Sequence, residues 1–168
     1  SGHGSLDLFG AIEQSCDTFF YQLGLRLGLP AWAKHARAAG FDRPTGIDMP
    51  GEKGGNVPDA DWYDRNYGSR GWTKAVLLNL AIGQGELLVT PLSLAQYFAG
   101  LSNGGVVMQP HLLRSWRAPD GRVHGYEPSV SFELPYSPEV LDVLVECCVM
   151  VLEGEHGTAR GSRIPGVS

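Results

Sequence analysis

Apolar positions in the first thirty residues recur at steps of three and four. Leu8, Ile12, Cys16, Phe19 or Phe20, Leu23 and Leu27 fall on one face, which predicts amphipathic helix behind a cap at Ser5. Periodicity leaves open whether this is one helix or two, broken near Ser15. Gly28 is a stop signal, and Pro30 opens a short helix over residues 31–39 that Gly40 ends. From 41 to 70 the pattern dissolves into Gly, Pro, Asp and Asn. A structureless stretch of that length is too long for a passive connection, so a wrapping or functional loop is expected, pinned by Trp62, Tyr63 and Tyr67.

Helical signals return over residues 73–80 and break at Ile82-Gly83-Gln84-Gly85. They resume with Thr90 as cap and Pro91 in the first turn, and run to Asn103 before Gly104-Gly105. Residues 106–116 have strand character. Pro119-Asp120-Gly121 is a tight turn, which predicts a hairpin with Val123 and its neighbours. Ser137-Pro138 starts a last helix carrying Val140, Leu141, Leu144, Val145, Cys148, Val151 and Leu152, which ends near Gly154 or Gly157. Ile164-Pro165-Gly166-Val167-Ser168 reads as a loop leading onward. No internal repeat is present, which excludes solenoids and propellers.

Composition narrows the function classes. The 168 residues suffice for one domain with a core of its own, and 43% hydrophobic with 18% charged residues is ordinary for a globular chain. A net charge of -5 and scattered Lys and Arg lack the basic footprint of a nucleic-acid binder. Apolar runs are too short to span a bilayer. The chain starts at Ser1 rather than Met and is read as an excerpt of a longer protein.

Several residues carry chemistry by type. Cys16, Cys147 and Cys148 form no disulfide framework, and the adjacent pair is expected as buried free thiols. Ile82-Gly83-Gln84-Gly85 lacks the following Lys-Ser or Lys-Thr of a phosphate loop and reads as a tight backbone turn. His111 and His124 belong to the hairpin region, His35 to a charged helix face, and Glu153, Glu155 and His156 to a solvated helix end. Ser15-Cys16-Asp17, taken alone, is also a helix start with Ser15 capping and Asp17 in the first turn.

Its company changes that reading. The run Ala11-Ile12-Glu13-Gln14-Ser15-Cys16-Asp17-Thr18-Phe19-Phe20-Tyr21-Gln22-Leu23 closely resembles the second active-site motif of class B penicillin-binding proteins. Further matches follow in order: Gly40-Phe41, Thr45-Gly46-Ile47-Asp48, Ala81-Ile82-Gly83-Gln84-Gly85, Val89-Thr90-Pro91-Leu92, Asn103-Gly104-Gly105, Pro110-His111-Leu112-Leu113 and Gly157-Thr158-Ala159. Each is weak, but the ordered set spans essentially the whole chain. The second motif is usually S-x-N, whereas Ser15 and Asp17 give S-x-D, the form of the elongation-specific penicillin-binding protein 2 subgroup. The family's S-x-x-K, with its nucleophilic serine, and its K-[ST]-G are expected before Ser1 and after Pro165, and neither occurs in these 168 residues.

The resemblance implies an α+β fold of the penicillin-recognising serine transpeptidase and β-lactamase kind. Residues 1–168 would be a partial transpeptidase domain, mainly its helical subdomain plus a β-hairpin, inactive alone and incompletely buried where other segments pack. It implies a peptidoglycan D,D-transpeptidase that cross-links stem peptides through a serine acyl-enzyme during side-wall elongation and is acylated by β-lactams. Ser15 would hydrogen-bond between the lysines of the other motifs, and Asp17 would hold a nearby lysine protonated. No cofactor is implied for catalysis. The subgroup's structural zinc site would take His3 and Cys16 as two ligands. A periplasmic domain of an inner-membrane-anchored protein, working beside a lipid II polymerase, completes the expectation. A non-catalytic penicillin-binding or sensor module, a serine β-lactamase and a D,D-carboxypeptidase share the fold and are the alternatives. An upstream S-x-x-K and a downstream K-[ST]-G discriminate the enzyme from the binder.

Overall fold

The computed structural model describes residues 2–164; the predicted loop at Pro165 to Ser168 lies outside them. In chain order the elements are α1 (Leu8–Glu13), α2 (Asp17–Leu27), α3 (Leu29–Ala38), α4 (Ala60–Tyr67), α5 (Val76–Leu80), α6 (Pro91–Ser102), β1 (Val106–Met108), β2 (Ser115–Arg117), β3 (Val123–Gly125), β4 (Val130–Glu133) and α7 (Pro138–Glu153), followed by a 3-10 turn at Arg160–Ser162. They form two compact units, one from Ser1–Trp32, Asp59–Gly85 and Ser137–Ser168, the other from Ala33–Pro58 and Glu86–Tyr136.

The first unit is helical. The predicted N-terminal helix is two helices: Asp7, not Ser5, caps α1 by accepting from Gly10 N–H at 2.9 Å, and the chain breaks before Asp17. Helix α2 ends at Gly28, whose φ of 78° suits glycine alone, and it packs on α5. Gly24 permits that contact, because a Cβ there would sit 2.7 Å from the Ala81 Cβ. Ala81 and Ile82, just past α5, line one pocket with Asp17 and Phe20 of the first turns of α2. Helix α7 packs on α1; it starts as the sequence predicts, with Ser137 accepting from Val140 N–H and Pro138 in the first turn, and ends at Gly154.

The long loop expected over 41–70 contains a helix. Asp59 caps α4 by accepting from Trp62 N–H at 2.8 Å, and the fully buried Tyr63 stacks on Tyr67 and Trp72. Half of the α4 positions are Asp, Arg or Asn, so periodicity did not announce it. Its aromatic residues do anchor the segment, with the Trp72 indole N–H also donating to Asp64 at 2.7 Å.

The second unit carries the strands. Thr90 caps α6 through Ser93 N–H with Pro91 in the first turn, and α6 packs on β1. Strand β1 pairs antiparallel with β4, Val107 opposite Phe132, with an irregularity between Val107 and Met108; β2 pairs with β3 as the predicted hairpin, Trp116 opposite His124. The single strand expected over 106–116 is therefore divided. Pro110 has no N–H to give a ladder, and the N–H groups of Leu112 and Leu113 donate to the Asp48 carboxylate at 2.6 and 2.9 Å instead. A second carboxylate, Glu52, folds the preceding loop by accepting from the Thr45 N–H and hydroxyl and from Gly46 N–H, at 2.7, 2.6 and 2.9 Å.

These hydrogen bonds favour the ionised forms. The Leu112 and Leu113 N–H groups hold the Asp48 carboxyl below its usual range, and the Thr45 hydroxyl does so for Glu52. Because the folded values lie below the unfolded ones of about 3.9 and 4.3, the stabilisation is present above that range and disappears as pH falls through the depressed values. Asp48→Asn and Glu52→Gln are expected to lower the thermal midpoint near neutral pH and to flatten its decline in acid. Unfolding curves recorded from neutral to acid pH check this.

Candidate active site

The segment Ser15-Cys16-Asp17 joins α1 to α2, and the join fixes what each side chain can reach. Ser15 N–H donates to Ile12 O at 3.1 Å and Cys16 N–H to Ala11 O at 2.9 Å. Those two bonds define a Schellman turn, in which the residue after the cap takes a left-handed conformation and is usually glycine. Here it is Ser15, at φ 49°, the one non-glycine residue with positive φ among the described residues. An L side chain there costs on the order of 1–2 kcal/mol. Ser15 is therefore not the helix cap its sequence context suggested. Cys16 holds the cap position with an extended backbone, and Asp17 opens α2, where the helix dipole favours a carboxylate.

The turn separates neighbouring side chains. Ser15 and Asp17 are exposed and line one pocket with Ile12, Phe20, Ala81 and Ile82, about 290 Å³ in volume. Its wall is mostly hydrocarbon, with a hydroxyl and a carboxylate as polar groups. Cys16 between them is buried. Ala81 and Ile82 open the tight turn predicted at Ile82-Gly83-Gln84-Gly85, where Gly83 and Gly85 take φ of 73° and 77°.

Residues distant in sequence complete the surroundings. The Ser15 hydroxyl lies 2.9 Å from the Thr158 hydroxyl. Glu13, buried beside Ala11, accepts from His156 N–H at 2.9 Å through its side chain, and its backbone oxygen accepts from Thr158 N–H at 3.2 Å. Thus the end of α1 grips the segment after α7. Glu13 carried a faint signal, a carboxylate next to apolar positions of an amphipathic helix; Thr158 carried only its place in a short motif.

Cys16 faces a different set of groups. Its thiol lies 3.3 Å from the Thr18 hydroxyl, and its pKa is lowered to about 7 by that contact first, then by the His3 side chain and the Phe19 N–H. His3 and Cys16 are thus brought together. An imidazole nitrogen and a thiol so easily ionised suit zinc, which takes four ligands. Among the described residues no group of three or more His, Cys, Asp or Glu forms a metal set, so the pair supplies two donors.

Other sequence candidates lie elsewhere. His111 stacks on Tyr126 and His124 on Trp116, with ring centroids 3.4 and 4.3 Å apart, consistent with packing in the hairpin region. Cys147 and Cys148 are free thiols, and burial pushes both up from the ordinary thiol value. No helix among the described residues is long and apolar enough to cross a membrane.

The chain belongs to the penicillin-binding protein transpeptidase domain family, whose model matches residues 1–168. It is 32% identical to the peptidoglycan D,D-transpeptidase MrdA of Acinetobacter baumannii over 98% of this chain and 24% of that protein. The penicillin-binding protein PBP2 of Helicobacter pylori superposes with a TM-score of 0.80 at 30% identity, covering 95% of this chain and 28% of that one. Penicillin-binding protein A of Mycobacterium tuberculosis, in an imipenem acyl-enzyme complex, gives a TM-score of 0.74 at 30% identity, over 96% of this chain and 34% of that one. The chain spans about a quarter of the length of the curated relative. Its fold is that of their transpeptidase domains, as the sequence led one to expect.

The Ser15 geometry has a thermodynamic consequence. Ser15→Gly and Ser15→Ala both delete the hydroxyl, but only alanine keeps a Cβ in the left-handed region. Ser15→Gly is expected to be the more stable of the two by about 1 kcal/mol, read by chemical denaturation.

Proposed function

We propose that these residues are part of a peptidoglycan D,D-transpeptidase of the elongation-specific penicillin-binding protein 2 subgroup, and that Ser15 and Asp17 form one wall of its active-site cleft. The observation that carries the reading is the joint placement of the Ser15 hydroxyl and the Asp17 carboxylate at one pocket mouth, on a chain related throughout its length to such enzymes. The S-x-x-K and K-[ST]-G segments would come from sequence beyond residues 1–168. Large apolar side chains left exposed in the first unit, among them Leu23, Leu25, Leu27 and Val149, fit a domain that other segments cover.

The reaction class divides acyl transfer into two displacements. A serine oxygen attacks the penultimate D-alanine carbonyl of a donor stem and expels the terminal D-alanine, and an acceptor amine then displaces the serine to form the cross-link. A β-lactam enters at the first displacement, as imipenem does in the M. tuberculosis relative. The chain's own groups would serve proton placement. The Ser15 hydroxyl, both donor and acceptor, suits a position between two lysines, and Asp17 would favour the protonated form of the nearer one.

In the complete protein, a fluorescent penicillin is expected to label one serine stoichiometrically. Asp17→Asn is expected to move the lysine-dependent limb of the acylation rate profile to lower pH by about 1 unit, because removing a carboxylate lowers a neighbouring lysine's pKa. An unlabelled protein would favour a non-catalytic module, and an unmoved profile would remove the electrostatic role of Asp17.

The zinc expectation belongs to the same reading. We infer that His3 and Cys16 are two of four ligands of a structural zinc that ties the segment before α1 to the turn holding Ser15, the other two lying outside residues 1–168. About one zinc per complete protein is expected by metal analysis, with His3→Ala weakening retention against a chelator. Absence of zinc from the purified protein would remove the assignment. The domain would face the periplasm of a membrane-anchored protein and work beside a lipid II polymerase. The H. pylori PBP2 has been solved in a complex with MreC, so that relative binds a second protein.

A further inference from the structure

We propose that Thr158 is a positioning residue for Ser15, fixing the direction of its hydroxyl before substrate arrives; the inference rests on the transpeptidase reading above. Two exposed hydroxyls 143 residues apart meet at 2.9 Å. A serine hydroxyl has one proton, two acceptor sites and three staggered χ1 wells, and an exposed one samples several of them. A single fixed partner selects one well and leaves Ser15 capacity for further hydrogen bonds.

Thr158 is itself held. Its N–H donates to Glu13 O at 3.2 Å, His156 N–H to the Glu13 carboxylate at 2.9 Å, Gly157 N–H to Gly154 O at 3.1 Å and Ala159 N–H to Val151 O at 3.0 Å. The turn fits so closely that a Cβ at Gly154 would collide with the Glu13 carboxylate. The same residue range that ends α1 therefore supplies both the strained Ser15 backbone and the frame for its partner. Threonine suits the task, because branching at Cβ restricts χ1 and ties the hydroxyl direction to the backbone. Since both hydroxyls reach solvent, the contact adds little to folding, and its effect is on orientation.

The test is a double-mutant cycle in the complete protein, read as the acylation rate constant with a fluorescent penicillin. Thr158→Val keeps shape and removes the hydroxyl, and is expected to slow acylation about tenfold while leaving the thermal midpoint nearly unchanged. Thr158→Ser restores the hydroxyl and is expected to recover the rate to within about twofold of the unsubstituted protein. In a Ser15→Ala background Thr158→Val is expected to have no further effect. An unchanged rate in Thr158→Val, equal loss in Thr158→Ser, or an undiminished effect in the Ser15→Ala background would overturn the inference while the transpeptidase reading stands. A complete protein that takes up no penicillin at all would overturn both.

Discussion

A buried carboxylate and a left-handed serine, two residues apart, hold this site together. Glu13 ends α1 with its side chain turned to the segment after α7, and Ser15 reverses the chain before α2 begins. Neither arrangement is favourable alone. A buried carboxylate needs hydrogen-bond donors, and an L side chain at positive φ needs surroundings that leave it no alternative. The His156 N–H answers the first need, while Thr158 N–H donates to the Glu13 backbone oxygen, and the Schellman bonds to Ile12 and Ala11 answer the second. Because both groups of bonds involve the last turn of α1, they reinforce each other. The alternation of Ser15 and Asp17 outward with Cys16 inward follows from that turn, since in a continuous helix successive residues would point about 100° apart around one axis.

What the sequence revealed divides along the range of the interactions. Elements with local signals were legible: Thr90 with Pro91, Ser137 with Pro138, Gly28 as a stop, and the Pro119-Asp120-Gly121 hairpin turn all act through bonds within a few residues. The ordered family motifs made the fold readable for a different reason, because their succession encodes a topology that no single motif contains. Helix α4 escaped because its anchor is Tyr63 stacking against Trp72, a tertiary contact, while half of its positions are Asp, Arg or Asn. The split of the strand after Met108 escaped because the acceptor for Leu112 and Leu113 is Asp48, 64 and 65 residues away.

The site was legible to the same limit. Ser15, Cys16 and Asp17 were named as a motif, yet their helix-start context assigned Ser15 to a cap it does not occupy. Both readings are compatible with the residue types, since serine favours caps and turns alike. Only the identity of the hydrogen-bond acceptors, Ile12 and Ala11, distinguishes an end of α1 from a beginning of α2. His3 was selected by resemblance, and its side chain lies near enough to Cys16 to help lower the thiol's pKa. Thr158 could not have been paired with Ser15 from spacing, because the bond closes a loop of 143 residues.

Strain at Ser15 bears on why a serine would be kept where glycine is easier. Glycine would satisfy the turn at lower conformational cost but would present no hydroxyl to the pocket. A serine at this position is therefore stability given up for a hydroxyl on a mostly apolar wall. Asp17 differs, because its carboxylate, exposed beside Phe20 and Ile82, stands in the first turn of α2, where the helix dipole favours it. Local folding preference therefore accounts for the carboxylate at position 17 but not for the side chain at position 15, where glycine is easier. A hydroxyl held at position 15 against the preference of its turn is what the role in proton placement proposed above would ask of it.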